Sequence, residues 1–599
     1  MLSCWIIILP QIEIFDDMRR KIMLICVMIM RLGALSAQDD DAYMAVMGIL
    51  GTEAEEIDAE EAERLTRLFR DPIDLNTASV RELTASGLFS RYQIASLSDY
   101  ISRNGEVMSF MELSSIDGFP EDIVMRIRPF VSVSQSSSDS GGMVRSEITA
   151  RSSLRRASGS LRWNYATRYR LTKGDAVSAS LSLSRSLDAS ALYPDAICSS
   201  VGWNFRKAPV RLVLGDFNAR FGQGLSLWNG SFLNSKTSPS VFMKRPSGVT
   251  PSSSFNGNYS YTGTAVEAGL GRFSLTAFLA FPGLKSLRKK PESFRLMPAV
   301  HLAYNGRHGE AGVTHFAEFS GVLPGSRPAI PHMKTSADAA VCRKGTDMFC
   351  EVTYDWVERA LSTVAGGIVP VGEDVDMAAL LMIVPQEYSA ALSAELKKGK
   401  WLSMKGAGGS FRRLSGTLTA DVALYTAPKT DAQDRSLQVK IYSLWKVVFS
   451  ESMSMDLRFT ERIRNWGRMY RTDIRSDLDW YGDLFTASLR LNFLKCAGFS
   501  VLGYIEGGFR SGSLSIYLRQ GVFKVDDWED RIYVYERDEP GCFNAPAFYG
   551  RGVWTSFVSS WKFSRWGKVC FRASGTAYPF MKEKKPGKAE LRLQFVFDF

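Results

Sequence analysis

The sequence lacks, after its first 37 residues, any apolar run of the length that a membrane-spanning helix needs, although 45% of its 599 residues are hydrophobic and 12% are aromatic. Such a helix takes about 18 or more consecutive apolar residues. A chain rich in aromatics, glycine and serine but without these runs is typical of strands with one face in lipid and the other in water. A helical membrane protein is therefore disfavoured, and a large β-barrel is favoured.

Cysteine is scarce as well, with eight residues in the chain. Cys4 and Cys26 lie in the first 37 residues, and the remaining six are widely and irregularly spaced without a CxxC pair, which argues against a disulfide-dense scaffold and a zinc site. Cys342 and Cys350 flank Lys344-Gly345-Thr346-Asp347, where a hairpin turn would place them opposite each other. A disulfide and two free, packed thiols are equally compatible with this spacing.

Catalytic and metal-binding motifs are also missing from the sequence. It contains no GxSxG nucleophile elbow, Walker loop or HExxH motif. Its four histidines cluster at positions 301, 308, 315 and 332, and His301 and His315 are predicted to lie on adjacent strands. Carboxylates at ligand spacing are not evident, so histidines on the aqueous face are favoured over a metal pair. The charged run Glu536-Arg537-Asp538-Glu539 is interpreted as a solvated loop. We therefore predict no enzyme activity, cofactor or metal.

The first 37 residues have the pattern of a signal peptide whose start is Met18. Arg19, Arg20 and Lys21 form a basic region, an apolar stretch follows at residues 22–30, and Leu35-Ser36-Ala37 offers small residues for cleavage. The alternative, an N-terminal anchor helix, is disfavoured because the apolar stretch is too short to span a bilayer. The mature chain is predicted to be exported.

Composition divides the exported chain into four parts. Residues 38–70 form an acidic segment with helical spacing of apolar residues, interpreted as a solvated helix that ends before Pro72. Residues 71–133 form a small helical domain, and residues 134–143 form a serine- and glycine-rich linker. Residues 144–599 show recurrent alternation of apolar and polar residues, which predicts roughly 22–26 antiparallel strands in one closed transmembrane barrel.

The last strand shows this alternation most clearly, with one apolar face of Leu591, Leu593, Phe595, Phe597 and Phe599. A strand that ends the chain on phenylalanine resembles the signal by which outer-membrane proteins are recognised for insertion. The resemblance implies that Phe595, Phe597 and Phe599 act as an insertion signal for the barrel-assembly machinery.

Connection lengths predict the orientation, because outer-membrane barrels have short periplasmic turns and long external loops. Residues 564–568 are interpreted as a short periplasmic turn and residues 581–588 as an outer loop, which places Phe599 at the periplasmic rim. An even strand number then places residue 144 at the same rim. We therefore expect an outer-membrane protein whose N-terminal domain lies in the periplasm.

The segment Ile73-Asp74-Leu75-Asn76-Thr77-Ala78 with Arg81-Glu82-Leu83, followed by Asn104-Gly105 and Gly118, resembles the ComEA-type helix-hairpin-helix module of competence DNA receptors. The resemblance covers about 60 residues, and it implies two helical hairpins that contact DNA through their loops. Asn76 and Ser109 are predicted helix N-caps. A small core is predicted from Leu83, Ile94, Leu97, Ile101, Leu113, Ile116, Ile123 and Ile127.

The loops of this module depart from the family's Gly-apolar-Gly pattern, in which backbone N–H groups bind a phosphate. They read Gly87-Leu88-Phe89 and Gly118-Phe119-Pro120, and each lacks the second glycine. The candidate nucleic-acid-binding residues are Gly87, Leu88, Phe89, Arg91, Gly118, Phe119, Arg126 and Arg128. A structural or protein-binding role is favoured over DNA binding for this domain, which carries a net charge of −4.

Two groups of segments in the barrel resemble the β-barrels attached to such modules in Gram-negative outer-membrane proteins. They are Gly215-Asp216-Phe217 with Phe221-Gly222-Gln223-Gly224-Leu225, and Tyr535-Glu536 with Phe548-Tyr549-Gly550-Arg551-Gly552. This resemblance implies no activity.

Charge leaves two functions open. The whole chain carries +10 and residues 1–143 carry −11, which leaves +21 on the barrel. One hypothesis is a conduit for DNA or another polyanion through an anion-attracting lumen. The other is a structural barrel whose acidic N-terminal part docks on another envelope protein or plugs the barrel, without binding DNA. In both, outer-membrane lipid and the phosphates of lipopolysaccharide are expected partners.

Overall fold

The structure, a computed structural model, has a small helical module followed by one large antiparallel barrel. It describes residues 59–119, 121–133 and 144–599. Within the last range, the residues left out are 158–159, 175, 186–192, 206–207, 230–242, 256–259, 283–294, 307, 321–330, 344–345, 372–374, 386–398, 412–413, 427–434, 465–468, 540–541, 543 and 582–584. The predicted signal peptide and linker lie outside the described residues, as does most of the acidic segment.

The described residues of the module form five α-helices: α1 Ala59–Arg70, α2 Val80–Ser86, α3 Arg91–Asn104, α4 Phe110–Leu113 and α5 Glu121–Ile127. A short parallel pair, β1 Ile73–Asp74 with β2 Val131–Ser132, joins its two ends. Helices α2 and α3 form one hairpin around Gly87, and α4 and α5 flank the turn at Gly118. None of the described helices is long and apolar enough to cross a membrane.

Serine side chains cap the N-termini of α2, α3 and α4. Ser79 accepts the backbone N–H of Glu82, whose carboxylate accepts the N–H of Ser79, so α2 begins with a complete capping box. The predicted cap at Ser109 is confirmed, since its hydroxyl accepts the Glu112 N–H. The predicted cap at Asn76 is wrong, because Ser79 caps the helix that follows. The Asn76 side chain instead donates to the Val107 carbonyl at 2.9 Å and accepts the Val107 N–H at 2.8 Å. Asn76 therefore ties the two hairpins together.

The predicted module core is confirmed. Leu83, Ile94, Leu97, Leu113, Ile116 and Ile127 are buried, and Ile101 and Ile123 pack against them. Leu65 of α1 is buried in the same cluster, with Leu68 and Phe69 beside it. Helix α1 is therefore part of the module's core rather than only solvated.

The barrel is a ring of antiparallel pairings that closes on itself. In the described residues it contains strands β3–β24 and β27–β29. The short strand β8 pairs with the end of β7, and the rest of β7 pairs directly with β9. Twenty-four long strands therefore complete the circuit, within the predicted range. Their bounds are β3 Val144–Ala157, β4 Ser160–Lys173, β5 Val177–Arg185, β6 Ala196–Asn204, β7 Val210–Arg220, β8 Gly248–Pro251, β9 Tyr261–Leu270, β10 Phe273–Pro282, β11 Arg295–Asn305, β12 Gly309–Ser320, β13 His332–Arg343, β14 Thr346–Asp355, β15 Ala360–Pro370, β16 Val375–Val384, β17 Gly399–Phe411, β18 Leu414–Thr426, β19 Arg435–Ser450, β20 Met453–Arg464, β21 Met469–Tyr481, β22 Phe485–Lys495, β23 Phe499–Ser511, β24 Leu514–Val525, β27 Gly550–Ser564, β28 Gly567–Ala577 and β29 Lys588–Asp598. Between β24 and β27, the short strands β25 Ile532–Tyr533 and β26 Ala547–Phe548 pair with each other outside the ring.

The two rims differ in the length of their connections. At one rim, here called the short-turn rim, neighbouring strands are joined by brief turns such as those after Leu270, Ser511 and Ser564. At the other, the long-connection rim, β7 leads to β9 and β24 leads to β27 through long segments. Val144 and Phe599 both lie at the short-turn rim, because the Phe599 N–H donates to the Ser146 carbonyl at 2.8 Å. The last strand β29 pairs with the first strand β3, which closes the ring.

The outer face of the barrel is apolar, whereas the lumen face carries polar residues together with apolar clusters. On β22 the exposed large apolar residues are Phe485, Leu489, Leu491 and Phe493, while Asn492 between them is buried. On β29, Leu593 and Phe595 are exposed and Gln594 is buried. The predicted alternation is thus confirmed.

Aromatic pairs mark both rims. At the short-turn rim, Trp203 stacks on Phe205 at 5.4 Å and Trp566 on Phe597 at 6.0 Å between ring centroids. At the long-connection rim, Trp163 lies 5.4 Å from Tyr165, and Tyr354 lies 5.0 Å from Trp356. Amphipathic rings at two levels separated by aliphatic side chains are typical of a barrel with two membrane interfaces.

A disulfide between Cys342 and Cys350 is contradicted by the strand register. Cys342 pairs with Asp347, and Cys350 pairs with Ala339. The hairpin turns between Arg343 and Thr346, so the two thiols lie on opposite faces of the sheet, and both are free.

Candidate functional site

Two connections from the long-connection rim fold into the lumen, and together they form the candidate functional site. The first inner segment comprises residues 221–229 and 243–255, between β7 and β9. The second inner segment comprises the described residues of 526–549, between β24 and β27.

The first inner segment begins where β7 separates from β6. Pairing between the two strands ends at Ser200 and Gly215, and Gly215 has a φ of 87°. A Cβ at Gly215 would lie 2.2 Å from the Ser199 carbonyl oxygen, so this bend requires glycine. Asp216 fixes the bend by accepting the Ser199 N–H at 2.7 Å.

Glu351 holds the first inner segment against β14, six positions further round the ring. Its buried carboxylate accepts the backbone N–H groups of Gln223, Leu225 and Ser226 at 2.6, 3.0 and 3.1 Å. It also accepts the hydroxyls of Ser226 and Ser336, at 2.9 and 2.7 Å. Hydrogen bonds to a carboxylate are stronger than those between neutral groups, so Glu351 anchors the backbone around it.

Glycine permits this close approach. Gly222 has a φ of 57°, and a Cβ there would lie 2.8 Å from the Glu351 carboxylate. The adjacent Phe221 ring lies against His301, with 4.3 Å between centroids. Side chain and backbone of this segment thus both face the wall of β11–β14.

The same segment then reaches the opposite wall. The carbonyl of Ser252 accepts the hydroxyl of Ser200 at 2.7 Å, and the carbonyl of Phe255 accepts that of Ser184 at 2.7 Å. Arg151 and Arg168 lie over the Phe255 ring at 4.5 and 4.6 Å. The segment therefore connects two walls of the lumen.

The second inner segment pairs its charges with arginines of the lumen wall. Glu536 contacts Arg572, and Asp538 contacts Arg592. Arg537 donates to Glu506 at 2.7 Å, and Glu506 also binds Arg519 at 2.7 Å. The interpretation of residues 536–539 as a solvated loop is wrong, because Glu536, Asp538 and Glu539 are buried. Desolvated carboxylates need such partners, and the wall arginines supply them.

Several arginines of the lumen wall take part in shared ion-pair networks within the barrel. Arg572 is 1% exposed and lies between Glu536, Asp538 and Glu590. Arg475 and Arg490 both pair with Asp477. These acids are already counted in the net charge of +21, so the pairs hold the wall arginines in place without reducing that excess.

The helical module contacts the short-turn rim. Arg245 of the first inner segment donates to the Leu88 carbonyl in the first hairpin turn. Arg81 donates to Asn204 at 3.2 Å, and the Tyr92 ring lies 5.9 Å from that of His308. Burial and the neighbouring Arg126 lower the pKa of Arg245 to about 10, so it remains a cation at neutral pH. The module thus touches both the rim and the first inner segment.

The structure brings the two predicted nucleic-acid-binding turns together but turns them inward. Leu88, Phe89 and Phe119 are buried, and the rings of Phe89 and Phe119 lie 6.1 Å apart. The N–H of Gly87 donates to Thr84, that of Leu88 to Ser86, and that of Phe119 to Ile116. These three donors are therefore already used within the module. Pro120 and the side chain of Arg91 lie outside the described parts.

The remaining predicted residues are scattered. Gly118 has a φ of 88°, and its carbonyl accepts the Gln93 side chain at 2.7 Å. Arg126 is half-buried close to Arg245, whereas Arg128 is exposed over the Phe110 ring. Arg126 thus lies beside a residue of the barrel, whereas Arg128 lies beside a residue of the module.

The predicted insertion residues share one outward face. Phe595, Phe597 and Phe599 stack on one another, and Trp566 stacks on Phe597 and Phe599. They form an aromatic group at the short-turn rim, where β29 meets β3.

The histidines do not form a metal site in the part of the chain that the structure describes. His301 pairs with Thr314 and faces the lumen, while His315 pairs with Val300 and faces outward. No group of three or more His, Cys, Asp or Glu side chains among the described residues could hold a metal ion.

Sequence reasoning missed Glu351, Arg245 and the inward course of both connections. One signal is present in the sequence, since segments 215–217, 221–225 and 535–536, which carry the resemblance to module-bearing barrels, lie in or lead into the inner segments. Their glycines indicate unusual backbone, but the wall that they approach cannot be derived from local sequence.

Comparisons with known proteins match this chain to solved structures of outer-membrane barrels. No protein-family model and no curated protein matches the chain. A mutant of the ferric enterobactin receptor PfeA from Pseudomonas aeruginosa is 8% identical with a TM-score of 0.43, over 78% of this chain and 81% of that one. The siderophore receptor PirA from the same organism is 8% identical with a TM-score of 0.41, over 76% and 81%. The translocation pore of the P pilus usher PapC is 9% identical with a TM-score of 0.37, over 76% and 99%. Similarity at this level does not identify an activity.

Proposed function

We propose that this chain is a non-enzymatic outer-membrane β-barrel whose lumen is held closed by its two inner segments, with the helical module docked as a periplasmic cap. It shares with the second sequence-based hypothesis a plugged barrel without DNA binding, but here the inner segments close the lumen and the module docks on its own barrel. Passage through the barrel then requires displacement of the first inner segment.

The outward apolar face and the aromatic pairs at both rims support the membrane location. Closure of the ring supports it as well, since an open sheet edge is not tolerated in lipid. Connection length supports an orientation with the short-turn rim and the module in the periplasm.

The observation that carries the closed-lumen proposal is the Glu351 anchor. Three backbone N–H groups of a segment that begins at β7 converge on one carboxylate of β14. A segment held only by loose contacts would leave the lumen readily, whereas charge-assisted bonds in a buried site are strong.

Planar-bilayer conductance of full-length Glu351→Gln tests this proposal. The glutamine amide is neutral and turns an NH2 group, itself a donor, toward the three backbone N–H donors. Each N–H group that loses its acceptor costs roughly 1–3 kcal/mol. We expect larger and more frequent open-channel currents than in the wild type. Glu358→Gln is the control, because Glu358 is exposed next to the same strand. Identical conductance of wild type and both variants would contradict the role of the inner segment as a plug.

The second candidate function is a polyanion conduit in which the ComEA-like module binds DNA. The net charge of +21 on residues 144–599 favours it. Occupied loop donors and the contact of the first hairpin turn with Arg245 of the first inner segment oppose it. We therefore rank it below the closed barrel.

Labelled-duplex binding to the full-length protein tests this candidate. DNA binding through basic side chains weakens steeply with salt. DNA binding that depends strongly on salt and is lost in the double variant Arg126→Ala, Arg128→Ala would support the polyanion conduit. The absence of binding at micromolar protein and low salt would eliminate it.

A further inference from the structure

The wall of the barrel has a break between β6 and β7. Pairing between the two strands ends at Ser200 and Gly215. Beyond this point β7 turns inward and pairs with β8 of the first inner segment, whereas β6 continues to Ala196 along β5. Within the described parts of the chain, residues 196–199 thus have a strand partner on one side only. We call this break, at residues 196–199, the notch.

The notch lies just inside the aromatic pairs of the long-connection rim. Ile197 pairs with Leu183, two positions nearer the middle of the wall than the pair Arg185–Tyr165, and Tyr165 belongs to those aromatic pairs. Ile197 faces outward and is 41% exposed. At about 3.3 Å per residue, residues 196–199 leave a break of roughly 13 Å along the strand. In the proposed membrane orientation, this break faces the acyl chains of the outer leaflet.

The first inner segment and Asp216 seal the notch from the lumen side. The Ser252 carbonyl accepts the hydroxyl of Ser200 at 2.7 Å. Asp216 accepts the Ser199 N–H on one side of the notch and the Thr262 hydroxyl of β9 on the other. An open strand edge is not tolerated in lipid, so the wall stays sealed while this segment is in place. Displacement of the segment removes the backing at Ser252.

The lumen wall on one side of the notch is apolar. Lumen-facing residues of β7 and β9–β12 form one buried cluster there: Val213, Ala265, Phe278, Met297, Ala299 and Phe316. The first inner segment covers this wall with Phe221, Leu227 and Val249. The interior of a barrel that conducts water and ions is polar. The covered wall therefore fits the hydrocarbon part of a ligand better than an ion.

The lumen wall on the other side of the notch is polar. Arg168 donates to the Ser253 carbonyl at 3.3 Å, and Arg170 donates to the Ser253 hydroxyl at 2.6 Å. Both guanidinium groups also lie near Glu147, at 3.5 and 3.6 Å. Oxygen atoms of the first inner segment thus accept hydrogen bonds from this wall. A ligand that replaces the segment must supply acceptors in their place.

We propose that the notch is a lateral portal, through which an acyl chain with an anionic headgroup moves between the outer leaflet and the lumen when the first inner segment is displaced. The chain then lies on the apolar wall, and the headgroup takes the place of Ser253 beside Arg168 and Arg170. A water-soluble ion would not enter through an opening that faces lipid. This inference rests on the proposed function, which supplies the membrane location and the displaceable segment.

Photo-crosslinking of the full-length protein in phosphatidylcholine vesicles tests the portal. The probes are hexadecanoate and phosphatidylglycerol, each with a diazirine in its acyl chain, and mass spectrometry of peptides locates the adducts. In Glu351→Gln, we expect roughly tenfold more adduct at Met297 and Phe316 of the lumen wall than in the wild type, because the segment loses its anchor. Val300 and Val313, which are 47% and 49% exposed on the outer face, should be labelled equally in both proteins. Lumen labelling absent from both proteins with both probes would overturn the inference.

A tryptophan at the notch tests the route. Ile197→Trp, made in Glu351→Gln, places an indole ring at the outer side of the notch, and we expect lumen labelling to fall to the level of the wild type. The matched control is Val201→Trp in the same background. Val201 is also 41% exposed on the outer face of β6, but it pairs with Leu214 where β6 and β7 are joined. Equal lumen labelling in the two double variants would overturn a route through the notch.

The choice of probe defines the ligand. Hexadecanol with the same diazirine chain carries no charge, and lumen labelling by this alcohol equal to that by hexadecanoate would overturn the anionic headgroup. Lumen labelling by hexadecanoate alone would assign the portal to a free fatty acid, and labelling by phosphatidylglycerol alone would assign it to a phospholipid.

Conductance and heat-modifiable mobility are measured on the same proteins. A folded Glu351→Gln barrel with raised conductance but without lumen adducts contradicts only the portal. Lumen adducts that form equally in the wild type and in Glu351→Gln, without a change in conductance, contradict the plug and still support the portal.

Discussion

At the scale of single residues, buried carboxylates decide where the inner segments lie. Glu351 binds backbone N–H groups, whereas Glu536 and Asp538 bind arginines. Neither arrangement is evident locally, because a glutamate on a polar strand face has the same pattern whether it meets water or a folded-in loop. The prediction of a solvated loop at residues 536–539 is wrong for this reason.

Glu539 makes the second inner segment sensitive to pH. Burial, and then the neighbouring Asp538, raise the pKa of Glu539 to about 7, although Arg151 and Arg592 act in the opposite direction. The buried carboxyl therefore holds its proton between about 4.5, the ordinary pKa of glutamate, and about 7. The inward position is then most stable at low pH, and it loses stability as the pH rises to about 7.

We accordingly expect more open-channel current at about pH 8 than at about pH 5.5 in planar bilayers, on either side of that transition. Glu539→Gln should give the low-pH behaviour at both values, because its amide cannot ionise. Glu529→Gln serves as a control, since Glu529 is exposed in the same segment. A wild-type conductance independent of pH, or a pH response that persists in Glu539→Gln, would contradict the role of this group.

At the scale of elements, β29 closes the barrel. Its register with β3 runs from Ala589–Arg156 to Asp598–Glu147, and Phe599 adds two backbone hydrogen bonds to Ser146. An unsatisfied backbone group in hydrocarbon costs several kcal/mol, so this seam must be complete before the barrel is stable in lipid.

Deleting Phe599, or replacing Phe597 and Phe599 by Asp, should therefore prevent assembly. We expect little heat-modifiable protein in the outer membrane and degradation in the periplasm, measured by fractionation and gel mobility with and without heating. Phe580→Ala is the control, because Phe580 is another exposed aromatic residue near the other rim. Normal assembly of the Phe599 deletion would show that β29 is not the insertion signal.

At the scale of the whole molecule, the module and the barrel have separate cores. The module core runs from Leu65 to Val131, and the barrel lumen has its own clusters around Phe217 and around Trp554. Module and barrel meet through contacts of Arg245, Arg81 and Tyr92 rather than through a shared core. Assembly of the barrel should not depend on the module.

Deleting residues 38–133 behind an intact signal should leave a heat-modifiable barrel in the outer membrane. We also expect its conductance to exceed that of the full-length protein, because Arg245 loses the Leu88 carbonyl. If the deletion left the conductance unchanged, the module would dock on the barrel without plugging it. Loss of assembly in the module deletion, together with normal assembly of the Phe599 deletion, would refute a self-sufficient barrel.

The sequence by itself determined the class of fold, the outward and inward faces of the strands, the rim at which the chain ends and the core of the helical module. Each of these follows from a local pattern: period-2 alternation on β22 and β29, helical spacing from Leu83 to Ile127, and the difference between short and long connections. The period of the apolar residues predicts which side of a helix or strand is buried, but it does not predict the element against which that side packs.

Only the tertiary structure decided what the long connections do. Gln223 meets Glu351 across 128 positions of chain, and Arg245 meets Leu88 across 157. The same structure separated Cys342 from Cys350 and turned the first hairpin loop of the module toward the first inner segment. Contacts between residues so far apart depend on the curvature of the closed ring and on which wall faces which, and neither quantity is present in any local stretch of sequence.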